Sequence, residues 1–164
     1  MRDSVKVVVM ALSLAGVTCG SSGGSKNVAG FVGVWSPASG TFTSTCPGGN
    51  GTNTTQVTDT ETWAAGTTSD LVQTIPNTNC VFHADISAST ATGVAGQTCT
   101  VNTAATATTD SFTDVYSFTS YTFVISPDGM TATENYSGNL AETDNTINLS
   151  GNCTFTQTAS YTKQ

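Results

Sequence analysis

The sequence is short of charge. Only 9% of its 164 residues are Asp, Glu, Lys or Arg, against about 25% in an ordinary soluble domain. Basic residues are scarcest: Arg2 and Lys6 precede an apolar run near the N-terminus, and after it only Lys26 and Lys163 remain, in a chain of formal net charge −7. Such a chain cannot neutralise a run of phosphates, which excludes nucleic acid as a partner. There is one histidine, His83, so a zinc site of three histidines is excluded. No two cysteines are spaced C-x₂-C, no G-x-S-x-G elbow is present, and no D-x-[DN]-x-[DN]-G loop offers calcium ligands. The glycine clusters at 20–24 and 47–51 do not join a strand to a helix, so they are not phosphate loops. No metal and no cofactor is expected. No segment approaches the run of about 20 apolar residues that a membrane-spanning helix needs.

Threonine, with serine, asparagine and 16 glycines, fills the space that charge leaves. Threonine is β-branched and favours strands, while the helix formers Lys, Glu, Arg and Leu are few. Two Trp, four Tyr and seven Phe supply core material that a disordered chain would lack. The chain therefore reads as all-β, in one domain.

The N-terminus MRDSVK-VVVMALSLAGV-TCGSSGGS has the basic, apolar and small-residue parts of a secretory signal. Five cysteines follow in the chain: Cys19, Cys46, Cys80, Cys99 and Cys153. Cys19 ends the signal and precedes a Gly/Ser run, an arrangement that resembles the lipobox of bacterial lipoproteins. The resemblance implies that Cys19 is lipidated and becomes the mature N-terminus. Gly16 and Thr18 depart from the preferred lipobox residues, whereas removal of Cys19 from the count leaves an even four. The organisation expected is a signal peptide over 1–18, a lipidated cysteine and flexible tether over 19–29, and one β domain over 30–164. Gly20 in place of Asp after the cysteine implies the outer membrane; a secreted or periplasmic protein is the alternative.

Period-two alternation and turn residues mark the strands. Strands are expected at Gly40 to Cys46, Thr54 to Trp63, Asp70 to Ile75, Cys80 to Ile86, Thr90 to Val94, Gln97 to Asn102, Phe112 to Ser126, Met130 to Tyr136, Thr146 to Leu149 and Cys153 to Tyr161. The long one is expected to bend near Ser117 to Ser120. Turns are expected at Pro47 to Gly51, at Pro76 to Asn79, and most clearly at Ser126-Pro127-Asp128-Gly129. Eight to ten short strands with local turns make an antiparallel meander, closed as a small barrel or folded as a sandwich. Closure suits a chain with so little charge to protect open edges.

Four cysteines in an exported domain suggest two disulfides, with three possible pairings. Cys80–Cys99 is preferred, because the short strands between them can bring them close. Cys46–Cys153 then joins the first and last long strands.

Gly33-Val34-Trp35 near the start of a β-rich domain resembles the G-x-W motif of lipocalins and related calycin barrels, in which the Trp closes the base of the barrel. Thr113-Asp114-Val115-Tyr116 is similar to a second motif of that family, with an insertion. The family's Arg over the Trp has no evident counterpart, Lys163 being the only basic residue near the end. Most of the chain also resembles small lipoproteins of myxobacteria and their relatives, which brings no function with it.

Candidate chemistry is sparse. His83 and Asp85 share a strand face and could work with a serine from a neighbouring strand, although a rim histidine is the simpler reading. Asp59/Glu61 and Glu142/Asp144 are the close carboxylate pairs, and solvated strand or loop charge accounts for both without glycosidase chemistry. Trp35, Trp63, Tyr116, Tyr121 and Tyr136 are core or a ligand surface; Trp35 reads as core, and Trp63, beside Ala64-Ala65-Gly66, as the more exposed. The function expected is a non-enzymatic envelope lipoprotein, held at the membrane through Cys19, whose barrel binds a small hydrophobic ligand or an envelope partner. The alternatives are a structural or adhesive surface protein without a pocket, and a hydrolase using His83.

Overall fold

The computed structural model describes residues 26–47, 51–75, 80–106, 110–147 and 149–164. The segment read as a signal peptide, Cys19 and the Gly/Ser run lie outside the described residues, as do most of the Pro47 to Gly51 loop and the expected turn at Pro76 to Asn79.

A four-residue helix, α1 (Val28–Phe31), leads into ten strands: β1 (Gly33–Cys46), β2 (Gly51–Gln56), β3 (Glu61–Ala65), β4 (Leu71–Thr74), β5 (Val81–Ser87), β6 (Thr90–Gly93), β7 (Thr98–Thr103), β8 (Phe112–Ile125), β9 (Thr131–Asp144) and β10 (Leu149–Lys163). All pairings are antiparallel. Eight strands close a ring in the order β1-β3-β4-β5-β6-β8-β9-β10, with β10 returning to β1. The chain is thus an all-β closed barrel.

Two strands stand off the ring, and they give the molecule two unlike ends. Gly33 to Trp35 of β1 pairs with β3, but Thr41 to Cys46 pairs with β2. Thr122 to Val124 of β8 pairs with β6, but Phe112 to Ser117 pairs with β7. At one end the ring is complete. At the other, β1, β8, β9 and β10 run on past it, with β2 and β7 as the flanking edges.

Several of these boundaries differ from the expected ones. Thr54 to Trp63 is not one strand: it breaks at 57–60, where the chain leaves β2 for β3. Residues 146 and 147 are turn, and Leu149 opens β10 rather than closing a separate short strand. The strand starting at Met130 runs eight residues past Tyr136, to Asp144. The bend in β8 is present, as a register shift between Phe118 and Ser120. Pro37, which cannot donate to a ladder, sits at the irregularity in the β1–β10 register between Pro37 and Ser39.

The core fills the closed end. Trp35, Phe31, Trp63, Leu71, Phe123 and Tyr161 are buried there, none more than 1% exposed. α1 plugs the base: the Trp35 indole N–H donates to the Phe31 carbonyl at 2.8 Å, and the Lys163 ammonium donates to the Gly30 carbonyl at 2.7 Å. That ammonium also lies 5.2 Å from the Trp35 ring centroid, so Lys163 supplies the cation over the tryptophan that the sequence left unassigned. Gly33 has φ +138°, and a Cβ there would meet Lys163 Cε at 3.0 Å, so the glycine of the G-x-W triplet serves both backbone and lysine. Of the segment read as a tether, residues 26–29 are described; Lys26 is ion-paired with Asp70 at 2.8 Å.

The second cluster, at the open end, is small: Leu140, Cys153 and Phe155, with Phe42, Tyr116 and Phe118 half-buried against it. Both preferred disulfides are present. Cys46–Cys153 ties β1 to β10, and Cys80–Cys99 ties the start of β5 to β7. Disulfides point to an extracytoplasmic location.

Candidate functional site

Between the packed base and the open end lies a cavity of about 380 Å³. Its mouth is framed by the 57–60 loop, Val101 and Ile75; aromatic rings of Phe82, Phe118 and Tyr136 form its walls; and its floor is polar.

The floor is built on period two. Glu61 and Trp63 point inward from β3, Glu134 and Tyr136 from β9, and Gln157 and Tyr161 from β10. The result is a pair of carboxyl groups, Glu61 at 7% exposure and Glu134 at 1%, inside a hydrogen-bonded cluster. Glu134 accepts from the Tyr121 hydroxyl at 2.6 Å, the Gln157 amide at 2.6 Å and the Tyr161 hydroxyl at 3.2 Å. Glu61 accepts from the Trp63 indole at 3.2 Å and contacts the Tyr161 hydroxyl at 2.8 Å. The Tyr136 hydroxyl donates to Gln157 Oε1 at 2.7 Å, leaving the Gln157 amide turned to Glu134.

Among the described residues no cation balances the pair. Lys26 is held by Asp70 and Lys163 by the base of the barrel. Burial pushes the Glu61 carboxyl well above the usual carboxylate range, and the neighbouring Glu134 charge pushes it further. Burial also raises Glu134, but hydrogen bonds from Glu61, Tyr121, Gln157 and Tyr161 offset part of that. A proton bound by the pair is therefore held more readily on Glu61, and the negative charge on Glu134, which has more hydrogen-bond donors. Burial and the two carboxyls raise the Tyr121 and Tyr161 phenols, which stay protonated and act as donors.

This overturns two expectations. Glu61 is not solvated strand charge, and its partner is not Asp59, which is exposed at the cavity mouth, but Glu134 on the far side of the barrel. Trp63 is not exposed; it is 1% accessible and packs edge-on to Phe82. Tyr121 and Tyr136 stack at 5.9 Å on the cavity wall, and Tyr116 lines the open end. Glu134 was legible in principle, since Ala132, Glu134 and Tyr136 share the inward face between outward Thr131, Thr133 and Asn135.

The other candidates lie elsewhere. His83 is half-buried on the outer face of β5, away from the cavity, with its Nδ1 3.1 Å from Ser69 Oγ. Ser69 Oγ donates its one proton to the Leu71 carbonyl at 2.8 Å, so in this arrangement the ring N–H donates to the serine, the reverse of a base activating a nucleophile. Asp85 is turned to the Asp70 amide at 3.4 Å. Glu142 faces Asp114 across the β8–β9 pairing, and Asp144 caps the following turn through Thr146 and Ile147 amides. Among the described residues no group of three or more His, Cys, Asp or Glu is placed to hold a metal ion. In comparisons with known proteins, no family model, no curated protein and no solved structure matches this chain.

Proposed function

We propose that this chain is a non-enzymatic envelope protein, anchored through a lipid on Cys19 at the outer membrane, whose barrel carries a small ligand. The observation behind the binding reading is the half-filled interior. A barrel with a purely structural role gains stability by packing its whole length. This one is packed at its base and, in a small cluster, at its open end, and between the two it leaves about 380 Å³ against aromatic walls, within the range of small-molecule pockets. The walls suit the apolar body of a ligand, and the floor gives one end of it polar partners. The lipid anchor is supported by the signal-like leader, by Cys19 as the cysteine left over from two disulfides, and by the extracytoplasmic location that those disulfides indicate.

Two experiments test this reading. The neutral fluorophore N-phenyl-1-naphthylamine, titrated into the purified domain, is expected to brighten and saturate at one equivalent. Val57→Trp, which places an indole in the mouth, is expected to abolish that signal. No saturable binding, or binding indifferent to Val57→Trp, contradicts the ligand reading. For the anchor, the membrane-extracted protein is expected to begin at a diacylglyceryl-modified Cys19 by mass spectrometry; an unmodified Cys19, or a chain beginning beyond it, contradicts it.

A further inference from the structure

The cavity floor is more specific than a general apolar pocket requires, and its chemistry names the ligand end that fits it. We propose that the floor grips a cation: the ligand is an organic amine, its ammonium group seated at Glu61 and Glu134 and its apolar body between the aromatic walls. The inference rests on the ligand-binding reading and narrows it to a substrate class.

Three observations carry it. The first is the pair itself. Two carboxyls are withdrawn from water on opposite sides of one barrel with no basic side chain beside them among the described residues, an arrangement that costs stability unless a proton or another positive charge completes it. The second is Gln73. It is 6% exposed, it borders the cavity, and among the described residues its side chain has no hydrogen-bond partner. The amide is open to the cavity, so its acceptor and its donor are both within reach of a group that enters there. The third is the wall. Phe82, Phe118, Tyr121 and Tyr136 present aromatic rings to the same space, and ring faces attract a desolvated cation. Asp59 at the mouth adds a negative charge along the entry path, which raises the local concentration of a cation and repels an anion.

The groups facing the pair are all accounted for. Trp63 from β3, Tyr121 from β8, Gln157 and Tyr161 from β10 are donors or neutral, and Gln73 from β4 is neutral. Glu134 already accepts from Tyr121, Gln157 and Tyr161, so an incoming ammonium displaces or joins neutral donors and meets no competing cation among the described residues. An ammonium has three N–H donors, and the floor offers acceptors at Glu61, Glu134 and Gln73. A carboxylate ligand finds only like charge here. A neutral alcohol finds hydrogen bonds but leaves the charge unbalanced.

The test uses three ligands that share a phenylethyl body: 2-phenylethylamine, 2-phenylethanol and 3-phenylpropionate. Each is titrated by calorimetry into the wild-type domain at pH 7, and each is also set to compete with N-phenyl-1-naphthylamine. The amine is expected to bind at least tenfold more tightly than the alcohol, and the propionate not to bind. Glu61→Gln and Glu134→Gln are each expected to lose most of the amine's advantage over the alcohol. Equal binding of amine and alcohol, with the fluorophore bound, overturns the cation inference and leaves the cavity reading standing. Failure of all four compounds overturns both. The wild-type comparison decides the matter even where a variant fails to fold.

Discussion

At the scale of single residues, two positions depend on features that other residue types cannot supply. Gly33 combines φ +138° with contact to the Lys163 stem. Gly33→Ala is expected to cost about 1–3 kcal/mol, the usual range for a strained backbone position, read as a lower urea midpoint with an unchanged slope. Glu61 is the other. Because its carboxyl, like that of Glu134, is raised in the folded state, the native protein holds a proton that the unfolded chain releases above about pH 4.5. Stability from this source is fully present below the unfolded-state value. It is lost as pH rises from there through the folded-state value, at up to about 1.4 kcal/mol per pH unit per proton. Asp70 and Asp128, lowered by their hydrogen-bond donors, act in the opposite sense, but only as pH falls below their ordinary 3.8. Glu61→Gln mimics the protonated group, and is expected to flatten the decline between pH 5 and 7 in denaturation curves taken across that range. An unchanged slope would show that the pair does not hold the extra proton.

At the scale of elements, strand existence was legible and strand endings were not. Cys80 to Ile86 and Cys153 to Tyr161 alternate cleanly, and their inward residues are buried as the period requires. Ser126-Pro127-Asp128-Gly129 turns β8 into β9, with Asp128 Oδ1 accepting the Met130 amide at 2.9 Å. The break at 57–60 was hidden because Val57-Thr58-Asp59-Thr60 holds no Gly or Pro and three of its four residues are β-branched, so propensity ran straight through it. That break is what carries Glu61 and Trp63 into the ring and opens the mouth. Threonine abundance has an element-level cause too: hydroxyls pair across strands, as in Thr43–Thr54 at 3.1 Å and Thr45–Thr52 at 3.2 Å, where other sheets use charge. Packing between elements is tight at Gly138, where a Cβ would meet Phe155 Cζ at 2.5 Å and clash with the Ser117 carbonyl. Gly138→Val is expected to destabilise the domain by about 1–3 kcal/mol, as overpacking does, and to disturb Phe155 more than Trp35 in NMR spectra. Equal disturbance of both ends would argue against two separate clusters.

At the scale of the whole molecule, covalent ties and closure divide the work. Cys46–Cys153 joins residues 107 apart and Cys80–Cys99 residues 19 apart. In the loop-entropy account the longer tie contributes about 4.7 kcal/mol and the shorter about 3 kcal/mol. Replacing Cys46 and Cys153 together by Ser is therefore expected to lower the thermal midpoint more than replacing Cys80 and Cys99. The reverse order would mean that strain or residual structure, rather than chain length, sets the contribution. Composition and alternation gave the all-β class and left barrel and sandwich open, and both disulfides are the pairing preferred among the three possible. The carboxyl pair did not, because Glu61 and Glu134 are separated by seventy-odd residues and meet only when β3 and β9 face each other across a closed ring.

The central claim is that the interior of the barrel, and not its outer surface, receives a ligand. Backbone and methyl NMR shifts followed during titration with N-phenyl-1-naphthylamine test it most directly. The account predicts saturable shifts at Val57 to Glu61, Gln73, Val101 and Phe118, with the outward-facing Thr133 and Ser160 unmoved. Shifts confined to the outer face, or none at the cavity residues at saturating ligand, would contradict it.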